Sequence, residues 1–405
     1  MKILTKSIIL TLISVSPFFL RAQASFVQLS EKVISQATKK EAWGYFQFPV
    51  LNHSDGELVV SWSMNPDNLS TLGKGNTVRM KSSDLGKNWE KINSNEVKDG
   101  VLLSNGCRLK LFTKPSVKYS PNTQRAKQSV GGELINSYSR KTVRFYYDKD
   151  LPSEYQGAYL AKDCGSGFKP IKVKINGSDF IRYSENGVLP FIWWGNIIYD
   201  KTTNKLYAGM GPGYYMENGV VQPSGVIFYQ SSDNGNSWTK VGTIKYITDI
   251  NMDAMAKRRN ISDGFTEPAF SILKNGTFVC VMRSSNGLGN RPLYLSRSTD
   301  KGKTWSKPKA ITKSGVMPKL IQLNGGGLVL STGRPGIQLY YSSDNGNTWS
   351  EAYSVLSNNK ETCGYTGLQN LGNNRFMVVY SDFSRKDVTG QERKAIVSKI
   401  FTVKK

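Results

Sequence analysis

Histidine is nearly absent from this sequence: His53 is the only one in 405 residues. That excludes the usual histidine-rich metal sites and any mechanism needing two imidazoles. Cysteine is scarce as well. Cys107, Cys164, Cys280 and Cys363 form no C-x-x-C pair and no zinc-like spacing, so neither a structural zinc nor a disulfide scaffold is expected, although a disulfide remains open. No Ser/Pro/Gly linker or low-complexity stretch interrupts the chain after its first residues, which argues for one domain. Acidic residues are also short, 30 against 54 lysines and arginines.

The one long apolar run is at the start. Lys2 and Lys6 precede Ile8 to Leu20, and Ala22-Gln23-Ala24 offers a small-x-small cleavage site, so residues 1–24 read as a signal peptide and 25–405 as the exported, periplasmic or secreted protein. The run is too short for a convincing membrane span, and none is expected after cleavage. The net charge of +24, less Lys2, Lys6 and Arg21, leaves +21 on the mature chain, a field that attracts anions. Export argues against nucleic acid. The partner expected is a glycan or polysaccharide, acidic by this charge balance: sialylated, uronic or sulfated. No cofactor and no metal is implied by any motif.

What is present is a pattern that occurs four times. It reads Ser82-Ser83-Asp84-Leu85-Gly86-Lys87-Asn88-Trp89, and returns at Ser231–Trp238, Ser298–Trp305 and Ser342–Trp349. Each copy follows a short alternating strand and precedes another, so it is a hairpin turn. The serine and aspartate are suited to bond local backbone amides, the glycine to take a positive φ, and the tryptophan to plug against a neighbouring unit. Four copies with every position kept indicate a repeated β-meander. His53 sits in Asn52-His53-Ser54-Asp55-Gly56, read as a turn between strands, and is expected to be solvated.

Short strands, regular turn residues and almost no helical periodicity give an all-β class. Phe26 to Ile34 is expected as an edge strand joining the two chain ends. Clear units start at Tyr45, Ile197, Pro268, Pro318 and Gly367. Residues 100–190 carry strands without a box, and 149 residues separate Asp84 from Asp233, room for more than one degenerate unit.

This repeat is the Asp box, and the sequence resembles the sialidase (neuraminidase) superfamily of BNR/Asp-box β-propellers, as a divergent member. The resemblance implies a six-bladed β-propeller of sialidase type. It also implies where the chemistry lies. Thr266-Glu267-Pro268 matches the stretch bearing the family's glutamate, and Arg283 and Arg334 match two of its arginines. Thr362-Cys363-Gly364-Tyr365-Thr366-Gly367-Leu368 matches the stretch bearing its tyrosine nucleophile. The logic is coherent: a sialic acid carries a carboxylate beside its anomeric carbon, which repels a carboxylate nucleophile but not a tyrosine whose proton a glutamate accepts. Arginines hold the substrate carboxylate through paired hydrogen bonds.

Two positions depart from the family. Where it places a first arginine, Phe46-Gln47-Phe48-Pro49 puts Gln47, expected to touch substrate without bringing charge. Hydrogen bonds to charged groups are worth about 1.5–3 kcal/mol against about 1 for neutral ones, so carboxylate affinity falls. Where the family has its acid/base aspartate, the alignment gives Asn76, and Asp67 in the same loop is the substitute. The expected catalytic set is therefore Tyr365, Glu267 and Asp67, with Arg283, Arg334 and Gln47 binding substrate. The implied activity is exo-acting glycoside hydrolysis releasing a terminal, anionic sugar. Two other readings stand beside it: another carbohydrate-active enzyme, hydrolase or lyase, on uronic or rhamnose-containing polysaccharide, and a non-catalytic glycan-binding propeller. Trp193-Trp194, Tyr214-Tyr215 and Arg258-Arg259 are candidates for a sugar platform under any of these.

Overall fold

The four tryptophan-ended turns set the architecture. In each, the first serine accepts the glycine N–H and donates to the aspartate: Gly86 N to Ser82 Oγ is 2.8 Å and Ser82 Oγ to Asp84 Oδ1 is 2.8 Å. The aspartate in turn accepts the backbone N–H four residues on, Asn88 at 2.9 Å. The copies at 231, 298 and 342 repeat these bonds. The residue before each glycine is left-handed too. Leu85, Asn234, Lys301 and Asn345 have φ of 57–61°, a conformation ordinarily left to glycine or asparagine. The chain thus reverses tightly enough for the tryptophan to fold back, its indole N–H reaching the glycine carbonyl at 3.0–3.1 Å in the first three copies.

Each tryptophan then packs against the preceding sheet. Trp89 joins a cluster with Met377, Val379 and Ile396. Trp238, fully buried, meets Leu109, Leu160 and Val173. Trp305 lies 4.3 Å from the Phe228 ring, and Trp349 packs with Val279, Val281 and Leu295. The turns therefore join sheet to sheet around the molecule, and hydrophobic clusters fill the seams.

The computed structural model describes residues 25–68, 71, 73, 75–93, 99–119, 130, 133–135, 141–177, 179–191, 194–256, 264–285, 291–357 and 360–404. The expected signal peptide 1–24, Trp193 and Arg258-Arg259 lie outside them. Among the described residues there is no α-helix, and no helix long and apolar enough to cross a membrane.

The strands Tyr45–Ser54, Glu57–Met64, Thr77–Ser82 and Glu90–Lys91 form one antiparallel sheet, and Val316–Gln322, Leu328–Gly333, Ile337–Ser342 and Tyr353–Leu356 another. Thr366–Gly372, Arg375–Lys386 and Glu392–Lys404 form a third, completed by Ser25–Gln36 from the other end of the chain, in register from Ser25↔Lys404 to Gln36↔Ala395. The expected edge strand is present and closes the chain on itself.

Between these lie three four-stranded runs. They begin at Val101–Leu102, Trp194–Asp200 and Gly264–Ile272 and connect through a parallel pairing at Lys174↔Ser237 and a bridge at Pro212↔Thr266.

The 100–190 region holds one of these runs plus a separate five-stranded sheet built from Val117–Lys118, Glu133–Ile135, Thr142–Tyr147, Ile181–Glu185 and Val188–Leu189. That sheet accounts for the long gap between the first two boxes. Cys107 and Cys164 are disulfide-bonded beside the Arg108↔Asp163 pair, whereas Cys280 and Cys363 are buried thiols. His53 ends up in the strand rather than the turn, and is exposed as expected.

Candidate active site

Three first strands share one irregularity. Tyr45–Ser54, Gly264–Ile272 and Val316–Gln322 each carry a bulge where a residue precedes proline: Phe48-Pro49, Glu267-Pro268 and Met317-Pro318. In all three the residue before proline is left-handed, with φ of 56°, 49° and 40°. A left-handed L-residue costs roughly 1–2 kcal/mol, so three at matching places mark a constraint that the surrounding fold holds. All three touch one tyrosine or its partner.

Tyr365 immediately precedes the strand Thr366–Gly372 and donates its hydroxyl to Glu267 Oε1 in a short hydrogen bond. The same oxygen accepts Arg283 Nη1 at 2.9 Å, and Glu267 Oε2 accepts the backbone N–H of Met317 at 2.7 Å. The Phe48 ring meets the Tyr365 ring edge-on at 5.1 Å. Arg283 stands opposite Thr266 across the strand pair, which explains why a residue 16 positions along the chain reaches Glu267. Arg334, just past Leu328–Gly333, places its guanidinium carbon 5.8 Å from the Tyr365 ring centre and donates Nε to the Cys363 carbonyl at 3.1 Å.

Burial pushes the Tyr365 phenol well above its ordinary range and the Glu267 charge adds to this, while Arg283 and Arg334 oppose it. At neutral pH the phenol therefore keeps its proton, and any nucleophilic use of its oxygen needs a base already in place. Glu267 is in that position.

The other expected members stand apart. Gln47 is 0% exposed, and neither amide atom has a hydrogen bond among the described residues. The left-handed residues on both sides, Phe46 and Phe48, set their rings against Trp62 and Tyr365. As placed, the Gln47 side chain is enclosed, and no bond ties it to the Tyr365–Glu267 cluster. Asp67 is exposed and accepts the Trp43 indole N–H at 2.9 Å, with no bond to Tyr365 or Glu267. Gly44, at φ 98°, explains its position, because the backbone of Asn65 and Asp67 occupies the space a Cβ would need. Asn76 pairs with Asn65 at 2.9 Å in both directions and closes the loop, a structural part.

The platform candidates separate in the same way. Trp194 packs 5.3 Å from Trp238, and Tyr214 packs 4.8 Å from Phe145, both half-buried against hydrophobic clusters.

Four turns of one geometry and a tyrosine–glutamate–arginine cluster now rest on one repeated sheet architecture. Residues 202–380 match the BNR repeat-like domain. The BNR repeat-like stretch contains Glu267, Arg283, Arg334 and Tyr365, while Gln47, Asp67 and Asn76 lie outside it.

No curated protein matches the chain. Among solved structures, a protein of unknown function from Dyadobacter fermentans is 17% identical, with 94% of this chain and 99% of that one covered and a TM-score of 0.62. An α-L-arabinanase from Penicillium chrysogenum, complexed with arabinobiose, is 16% identical over 92% of this chain and 98% of that one, TM-score 0.52. A mutant of the NanB sialidase from Streptococcus pneumoniae is 16% identical over 93% and 70%, TM-score 0.50. At these identities the likeness is one of fold: a BNR repeat architecture shared with sialidases and an arabinanase.

Three residues near the site were not singled out from the sequence. Phe48 and Met317 carry a signal that was legible, a residue before proline at the start of a first strand, matching Glu267-Pro268. Lys319 carried none. It lies opposite Ser331, whose hydroxyl meets Thr366 Oγ1 at 2.7 Å, so the register turns Lys319 toward the strand that follows Tyr365. Burial lowers its pKa and the nearby Glu267 charge opposes that shift.

Proposed function

We propose that the chain forms a six-bladed propeller and acts outside the cytoplasm as an exo-acting glycoside hydrolase of the sialidase type, removing a terminal, anionic sugar from glycans. The observation that carries this reading is the half-buried Tyr365 hydroxyl donating to Glu267 while Arg283 holds the same carboxylate oxygen. In this reading the Tyr365 oxygen attacks the anomeric carbon and its proton passes to Glu267. The bond to the leaving group breaks as Asp67 protonates the departing oxygen, and water then releases the sugar with retained configuration. Arg334 and Arg283 receive the sugar's carboxylate.

The position of Asp67 favours a second reading. An exposed carboxylate tied to Trp43 is not poised against Tyr365, which suits a propeller that binds glycans without cleaving them, or one acting on another sugar such as a uronic or rhamnose-bearing chain.

Hydrolysis of an aryl α-sialoside by residues 25–405 separates these. The hydrolase reading predicts turnover by wild type that falls about 10²- to 10⁴-fold in Glu267→Gln. Absence of turnover by a folded wild type would remove sialidase activity on that substrate.

A further inference from the structure

A cavity of about 560 Å³ opens beside Arg334, and Tyr365 and Glu267 do not line it. Its wall includes Trp43, Arg334, Lys360, Glu361, Phe383 and Lys394. The volume is within the range of about 300–1,000 Å³ that small-molecule sites occupy.

Trp43 is 50% exposed, unusual for the largest side chain, yet it is held firmly. Its indole N–H is bonded to Asp67 at 2.9 Å and its ring meets Phe383 perpendicularly at 6.1 Å. Lys394 buttresses this corner from below, over the Phe383 ring at 4.5 Å and donating to the carbonyls of Ala42 at 2.6 Å and Tyr45 at 3.2 Å. A fixed, half-open indole is a surface on which a sugar ring stacks with little ordering cost. Among the lining residues Arg334, Lys360 and Lys394 outnumber Glu361, while the Asp67 carboxylate stays engaged with the Trp43 indole and Glu41 acts on Lys394.

We propose that this cavity is a second saccharide site, taking a sugar ring with an acidic substituent: the ring stacks on Trp43 and the anion faces Lys360 and Arg334. It rests on the glycan-directed reading of the central site and extends it, since Arg334 lies between the two. A glycan held here would have its next acidic residue recognised beside the sugar at Tyr365.

Saturation-transfer NMR with methyl β-D-glucuronide, and with methyl β-D-glucoside as the neutral control, tests this without requiring turnover. Wild type should bind the glucuronide more tightly than the glucoside. Trp43→Ala should weaken it about tenfold and Lys360→Gln several-fold. Trp43→Phe, which keeps a ring but loses the bond to Asp67, should retain most of the binding, and Arg283→Gln should leave it unchanged.

Failure of wild type to bind, or binding unchanged in Trp43→Ala, would overturn the proposal. Loss in Arg283→Gln would overturn it too, by placing the sugar in the central site. A loss in Trp43→Phe as deep as in Trp43→Ala would assign the effect to the Asp67 loop, with the same consequence. Failure of the hydrolase reading appears separately, as no sialoside turnover with glucuronide binding intact.

Discussion

Gln47 carries the sharpest energetic statement at the residue scale. Its buried amide has neither a donor nor an acceptor partner among the described residues, and such an amide costs roughly 1–3 kcal/mol that an apolar side chain of similar size would not. Gln47→Met is therefore expected to raise the unfolding free energy by about 1 kcal/mol in urea titration. A fall of that size would mean the amide has a partner in solution. The contrast with Glu267 is instructive. Glu267 was legible through the family resemblance, which matches the contiguous stretch Thr266-Glu267-Pro268 and Arg283, and the fold brings them together through one hairpin. Whether Gln47 reaches the site depends on how Phe46 and Phe48 turn their rings, which no local pattern encodes. Asp67 is the same kind of case: its loop was recognisable, but its attachment to Trp43 depends on the close approach at Gly44.

The box turn is where sequence and structure agree most closely at the scale of the element, because its bonds link residues two to four positions apart. Backbone and side-chain donors hold Asp84 and Asp300 at pKa values of about 2, against an ordinary 3.8; the largest cause is the Asn88 backbone N–H for Asp84 and the Thr304 hydroxyl for Asp300. A carboxylate depressed in the folded state contributes stability that is fully present above its unfolded pKa and is lost as pH falls through its folded one. Asp84→Asn and Asp300→Asn should therefore lower Tm at neutral pH. Their deficit against wild type should shrink between about pH 4 and pH 2. A deficit that stays constant across that window would mean the charge of the turn aspartate is irrelevant. The five-stranded sheet of residues 117–189 was not legible for the opposite reason. Its strands pair across long separations, such as Val117 with Leu189, and period-two alternation states that a segment is a strand without naming its partner.

Across the whole molecule, closure depends on two long-range links. Ser25–Gln36 pairs with Glu392–Lys404, as the sequence suggested, while the Cys107–Cys164 bond spans 57 residues in a region where no box supplies a turn. A cross-link over a loop of that length removes chain entropy worth about 4 kcal/mol from the unfolded state. Cys107→Ser with Cys164→Ser should lower the unfolding free energy by about 2–4 kcal/mol, and thiol reduction of wild type should do the same. An unchanged denaturation midpoint in both would show that strand pairing alone holds this region.

The central claim, that Tyr365 is a nucleophile served by Glu267, is tested most directly by covalent trapping. The folded protein would be incubated with a 2,3-difluorinated sialic acid and analysed by peptide mass spectrometry. The account predicts one sugar adduct on the peptide containing Tyr365, absent in Tyr365→Phe and much reduced in Glu267→Gln. No adduct on wild type, or one that persists in Tyr365→Phe, would contradict it.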